Sequence, residues 1–154
     1  MAGIELIVVG ELKFPGLRDV ESMYVKRMGA FVPFSLQRVK EGRGGDDGAV
    51  RRTESLRILD RIKIDDQVVT LDVAGQTMDS QAFAAWLKKH LVYERRRLVF
   101  VIGGFAGVDD ALDRRGDFKL SFSPMTFSHD LFRVLFLEQL YRAFTIIHGI
   151  TYHR

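Results

Sequence analysis

The chain has 154 residues, 47% hydrophobic and 28% charged, with 23 Lys and Arg against 20 Asp and Glu and a net charge of +3. This composition excludes a disordered or low-complexity chain and predicts one compact domain over 1–154, able to bury roughly 70% of its unfolded surface without metal or disulfide. The absence of cysteine removes thiol catalysis, Cys-ligated zinc and iron–sulfur clusters, and no signal-peptide pattern or apolar run of about 18 residues is present, so a cytoplasmic location and no membrane partner are expected.

In chain order, 4–9 is an apolar-rich run ended by Gly10, the pattern of a strand buried on both faces of a parallel sheet. Val20, Met23, Tyr24 and Met28 fall at helical intervals within 17–31, and 34–39 reads as a second strand. Four glycines between 42 and 48 predict a mobile loop that feeds a helix over 49–63. A third strand over 68–73 is followed by an N-cap at Asp79 or Ser80 and a helix carrying Phe83, Trp86, Leu87 and Leu91. The fourth strand, 98–102, runs into Gly103-Gly104-Phe105-Ala106-Gly107, and a short helix over 109–114 and a strand over 118–122 come next. A long helix over 131–147 closes the fold. Strands alternating with helices predict an α/β fold with a mostly parallel sheet flanked by helices. Apolar residues surround the last helix almost completely, which predicts cover on more than one side, most economically by a second copy in a homodimer; burial within a monomer is the other solution.

The glycine loop after the fourth strand lacks the third glycine of a dinucleotide fingerprint, and no phosphate-binding G-x-x-x-x-G-K-[ST] occurs. The loop therefore reads equally as a tight turn or as a place where a ligand approaches the backbone at the carboxyl edge of a parallel sheet. None of the four histidines has metal-ligand spacing, so no metal is expected. His90, beside Lys88-Lys89, reads as solvated; His129 reads as a local cap or as a pocket residue. The terminal Tyr152-His153-Arg154 is either a frayed tail or an aromatic, an imidazole and a guanidinium able to stack on a base and hold a phosphate. Glu138 and Arg142 have the spacing of an ion pair, and at least one of Arg133 and Arg142 is expected to face an anionic ligand at the rim. Arg95-Arg96-Arg97 reads as solvated surface.

Leu98 to Gly104, the run Leu120-Ser121-Phe122-Ser123-Pro124-Met125-Thr126-Phe127-Ser128-His129, then Arg133, Glu138-Gln139, Tyr141-Arg142-Ala143 and Tyr152-His153-Arg154 together resemble the RlmH family of bacterial SPOUT-class methyltransferases. Val8 to Lys13 and Thr70-Leu71-Asp72 match in order and spacing as well, so the resemblance covers essentially the whole chain. The resemblance implies a SPOUT fold with a C-terminal trefoil knot and a homodimer whose active site spans the interface. It implies S-adenosyl-L-methionine as cofactor and methylation of N3 of pseudouridine 1915 in the 23S rRNA of the ribosome. By the same resemblance Leu71, Gly103, Phe122, Ser123, Pro124, Met125, Thr126 and Phe127 are the expected cofactor contacts. His129, Arg142, Tyr152, His153 and Arg154 are expected around the RNA base, with His153 taking the N3 proton. Ser128 and Thr151 stand where the family commonly has proline, and Phe105 is bulkier than the residue usual there. A SPOUT methyltransferase with another RNA target, a non-catalytic RNA-binding module and a small-molecule α/β enzyme are the alternatives.

Overall fold

The computed structural model describes residues 2–154. Five strands, β1 (Ile4–Val9), β2 (Phe34–Val39), β3 (Gln67–Thr77), β4 (Leu98–Val101) and β5 (Phe118–Ser121), form one sheet in the order β2-β1-β4-β3-β5, with every pairing parallel. The helices are α1 (Pro15–Met28), α2 (Asp47–Leu59), α3 (Ser80–Tyr93), α4 (Asp110–Arg115) and α5 (His129–Ile147).

Period-two alternation within the buried strands divides the core into two layers. Ile4, Leu6 and Val8 of β1 with Leu98 and Phe100 of β4 pack against Tyr24 and Met28 of α1, Phe83 and Leu87 of α3 and Phe136, Leu140 and Phe144 of α5. Ile7, Val99 and Val101 point the other way, onto Ile58 of α2 and Leu112 of α4. The chain is thus an α/β/α sandwich, with both faces of the sheet covered as an all-parallel sheet requires. Phe100, Phe136 and Phe144 are at most 1% exposed, and each such ring contributes about 1.5–3 kcal/mol by its burial, so packing rather than helix propensity holds α5 in place.

α5 lies between α1 and α3 on the sheet, so much of its apolar circumference is covered within the chain. Leu131 and Leu135 remain open to solvent or to a groove, beside the exposed Phe127. Among the described residues, no helix is long and apolar enough to cross a membrane, and no group of three or more His, Cys, Asp or Glu could hold a metal ion.

Four features differ from the sequence reading. α2 runs from Asp47 to Leu59 instead of over 49–63, because the chain turns after Leu59 and the Lys63 N–H is taken by Asp66 Oδ2 at 2.7 Å. β3 continues past residue 73 to Thr77, because its register against β5 shifts between Leu71 and Gln76 and the residues between them bulge out while pairing resumes. His90 is buried at 6% exposure, stacked on Trp86 at 5.9 Å: the inward face of α3 reaches its last turn, and of the run Lys88-Lys89-His90 the two lysines take the solvent side. Arg97 is an ion-pair anchor rather than solvated surface, joining the buried Glu5 to Asp66, with its Nη2 2.6 Å from Asp66 Oδ2.

Candidate active site

Every parallel strand ends on the same edge of the sheet, and the loops that leave β3, β4 and β5 meet there. The loop after β5 is held by its own serines. Ser123 Oγ accepts from the Met125 N–H at 3.0 Å, and Ser121 Oγ donates to the Ser123 carbonyl at 3.2 Å. Leu71, Phe122, Ser123, Met125 and Phe127 line one small cavity of about 70 Å³ together with Phe132 of α5. On the other side of Phe122 and Phe127 lies a groove of about 360 Å³, walled by Phe83, Leu120, Leu135 and Gln139. Pro124 and Thr126 are exposed in the same loop and line neither space. Met125 is 74% and Phe127 40% exposed, which gives the site an apolar lip.

Gly103 and Gly104 begin the turn after β4, which the Gly107 N–H closes on the Gly104 carbonyl at 3.0 Å. A Cβ at Gly103 would come 2.9 Å from Val108 Cγ1, and one at Gly104 would come 2.5 Å from Glu54 Oε1, so a side chain at either position would have to displace Val108 or Glu54. The turn reading holds: the loop is tight, and a buried carboxylate stands behind it. Glu54 Oε2 accepts from the Gly42 N–H at 3.0 Å, while Oε1 has no partner. Phe105 points its ring outward from the turn at 66% exposure.

α5 starts beside these loops. The capping oxygen is that of Ser128, accepting from the Leu131 N–H at 3.4 Å, which leaves the His129 imidazole free. His129 is exposed but partly desolvated, and this desolvation holds its pKa below the ordinary imidazole value; the nearby charges of Asp130 and Glu54 work in the opposite direction. One turn on, the buried Arg133 donates from Nη2 to the carbonyls of Val9 (2.8 Å) and Gly10 (3.0 Å) and from Nη1 to Glu21 Oε2 (3.3 Å). Glu21 is also paired with Arg38. Arg133 thus ties α5 to the end of β1 and does not face a ligand at the rim.

The second cluster gathers at the other end of α5. Glu138 Oε1 accepts from Arg142 Nε (3.1 Å), Arg142 Nη2 (2.5 Å) and the Tyr152 hydroxyl (3.0 Å). Because the Tyr152 hydroxyl donates its one proton to Glu138, the Tyr24 hydroxyl 3.2 Å away must donate to it. Burial raises the Tyr152 pKa well above the usual phenol value, and the hydrogen bonds to Tyr24 and Glu138 add to the rise, so Tyr152 stays neutral. Arg142 Nη1 lies 3.2 Å from His153 Nδ1; a guanidinium only donates, so Nδ1 accepts and the proton of the neutral imidazole sits on Nε2. The Arg142 guanidinium also covers the Tyr152 ring at 4.8 Å. The tail is therefore not frayed as far as His153, whereas Arg154 is exposed and its side chain makes no hydrogen bond or ion pair among the described residues.

Within one chain, the structure brings Leu71, Phe122, Ser123, Met125 and Phe127 together, and separately Arg142, Tyr152 and His153. His129 belongs to the first group by position. Thirteen residues of helix separate His129 from Arg142, about 20 Å at 1.5 Å per residue, while Gln139, which walls the groove beside Phe122 and Phe127, donates to Glu138 Oε2 of the second cluster at 3.0 Å.

A family described as predicted SPOUT methyltransferases matches residues 2–153. The chain is 38% identical over 157 aligned positions to "Ribosomal RNA large subunit methyltransferase H" of Lactococcus lactis subsp. cremoris (strain SK11), covering 98% of this chain and 99% of that one. A protein of the same name from Bdellovibrio bacteriovorus (strain ATCC 15356 / DSM 50701 / NCIMB 9529 / HD100) is 38% identical over 143 positions, 92% of each chain. The chain belongs to the RlmH family of SPOUT methyltransferases. Two solved structures share the fold. A probable methylase family protein from Haemophilus influenzae Rd KW20 superposes with a TM-score of 0.55 at 12% identity, over 99% of this chain and 71% of that one. A probable methyltransferase from Bordetella pertussis Tohama I gives 0.54 at 15% identity, over 93% and 95%.

In this SPOUT methyltransferase the sequence reading had missed Glu21, Tyr24 and Glu54 as parts of the site's frame. A signal for the two acids was present: Glu54 lies on one helical stripe with Val50 and Ile58, and Glu21 with Tyr24 and Met28, each a charge on an otherwise buried face.

Proposed function

We propose that this chain transfers a methyl group from S-adenosyl-L-methionine to N3 of pseudouridine 1915 in 23S rRNA, acting on the ribosome in the cytoplasm as a homodimer. Similarity over 98% of the chain to relatives named for large-subunit rRNA methylation carries the reading. The loops fit such a cofactor. Phe122, Met125 and Phe127 present apolar surface around a cavity and an adjoining groove, next to the tight turn that begins at Gly103 and Gly104. Leu71, Gly103 and residues 122–127 would hold the cofactor, and the backbone of this loop would orient it. When bound, the cofactor supplies a methyl group on a positively charged sulfur.

The chain's own residues orient the base and handle its proton. Orientation of two reactants contributes up to about 7–11 kcal/mol where alignment is good. The separation of about 20 Å along α5 supports a site that pairs the loops and His129 of one copy with Arg142, Tyr152, His153 and Arg154 of the other. The N3 proton passes to His153 Nδ1 once Arg142 swings off that nitrogen toward a phosphate or the negative charge developing on the ring. Labelled S-adenosyl-L-methionine, incubated with ribosomes, free large subunits or transfer RNA and followed by mapping of the label, tests the assignment: label at the 23S position supports it, and label only in transfer RNA overturns it. His153→Ala is expected to slow single-turnover methylation at saturating ribosomes; an unchanged rate removes the proton-accepting role.

A further inference from the structure

Two adjoining cavities, of about 480 Å³ and 520 Å³, open at the carboxyl ends of β1 and β2 and share Arg38, Val39 and Lys40. Their walls carry seven Lys and Arg against the three carboxylates Glu11, Glu41 and Asp60. That local surplus of four exceeds the +3 of the whole chain and leaves the remainder at −1. The mild basicity of the protein is therefore concentrated in one place.

The seven cations divide into two kinds. Arg18 donates to the Leu12 carbonyl at 2.6 Å, Arg57 to the carbonyls of Lys40 (2.8 Å) and Glu41 (3.0 Å), and Arg38 pairs with Glu11 and Glu21. These three build the walls. Lys13, Lys40, Arg43 and Arg61 are exposed, and their side chains make no ion pair or hydrogen bond among the described residues. Four like charges around one cleft repel one another until an anion lies between them.

We propose that this cleft binds the phosphodiester backbone of the RNA substrate and leads it to the methyl-transfer site, a reading that rests on the function proposed above. The cations spread over two cavities instead of converging on a point, which suits a chain of phosphates better than a single one. No aromatic residue lines either cavity, so the contact is to phosphates and not to stacked bases. The cleft also adjoins the site. Its Lys13 N–H donates to Asp130 Oδ2 at 2.8 Å, and its Gly10 carbonyl accepts from Arg133 at 3.0 Å, so its inner wall is fastened to the first turn of α5, where His129 stands.

The test is the triple variant Lys40→Gln/Arg43→Gln/Arg61→Gln, which changes exposed residues only. Methylation of large ribosomal subunits is followed between 50 and 200 mM KCl, beside cofactor binding by calorimetry. Loss of three phosphate contacts is expected to raise the KM for subunits and to make it about 20- to 40-fold less responsive to that salt change. The kcat and cofactor affinity are expected to stay as in wild type. If wild type methylates subunits and the variant has the same KM and salt slope, the cleft is not an RNA surface. If the effect appears with subunits and vanishes with protein-free 23S rRNA, the cleft docks an acidic protein and the proposal fails. If wild type transfers no methyl group to large-subunit RNA, the functional reading falls by itself, and wild-type and variant binding to 23S rRNA against salt decides the cleft: a shallower slope in the variant supports it, an equal slope overturns it.

Discussion

Glu138 Oε1 receives three donors, from two nitrogens of Arg142 and from the Tyr152 hydroxyl, and so fixes both groups that flank His153. A displacement of about 1 Å in a reacting geometry costs on the order of 10²-fold in rate. Glu138→Gln, which keeps the shape and removes the charge, is expected to lower kcat by that order with cofactor affinity unchanged, read by steady-state methylation and calorimetry. A titration effect arises at His90. Burial pushes its imidazole pKa below the ordinary 6.5, although the nearby Glu94 carboxylate opposes the shift. In the unfolded chain the ring takes up a proton as pH falls through about 6.5, while in the folded chain it stays neutral, so stability is lost as pH drops from 7 toward the folded value and levels off below it. His90→Phe removes one titrating group and one unpartnered nitrogen, and the thermal midpoint is expected to fall less between pH 7 and pH 5 than in wild type; His129, shifted in the same direction, accounts for slope that remains.

α5 links the two clusters, and its own anchorage is ionic at one end and apolar along its length. Removing Arg133 leaves Glu21 and two carbonyls short of a partner in a buried place, a change that costs 3–5 kcal/mol in comparable pairs. Arg133→Met is expected to lower stability by about 3 kcal/mol in denaturant unfolding, at the low end because Arg38 still pairs with Glu21. Elements with a period were legible in the sequence. The strand over 34–39 and the strands beginning at 4, 98 and 118 are where alternation or an unbroken apolar run places them, and the Asp79 cap of α3 follows from residue type. What was not legible depends on long-range contact. The extension of β3 to Thr77 is a matter of register with β5, the burial of His90 depends on Trp86 and the sheet beneath it, and the role of Arg97 requires Glu5, 92 positions away. The same holds at the site. Adjacent residues such as Ser121 to Phe127 declare themselves as a motif, whereas the carboxylates at 21 and 54 come to it from other helices.

At the scale of the molecule, a chain with a net charge of only +3 has little attraction for a large RNA in its average field. Concentrating that surplus at one sheet edge beside His129 gives direction where net charge gives none. The rise of about 20 Å from His129 to Arg142 along α5 is what the proposed site, shared between two chains, has to bridge. Complementation tests this. One variant carries a loop distorted by Gly104→Phe, whose side chain meets Glu54, and the other carries Arg142→Ala with His153→Ala; each alone is expected to be inactive. Refolded together in equal amounts, they form mixed dimers in which one of the two sites combines an intact loop with an intact tail, and about a quarter of wild-type methylation should return. No recovery above either variant alone, with mixed dimers shown to have formed, would place the whole site within one chain and contradict the account.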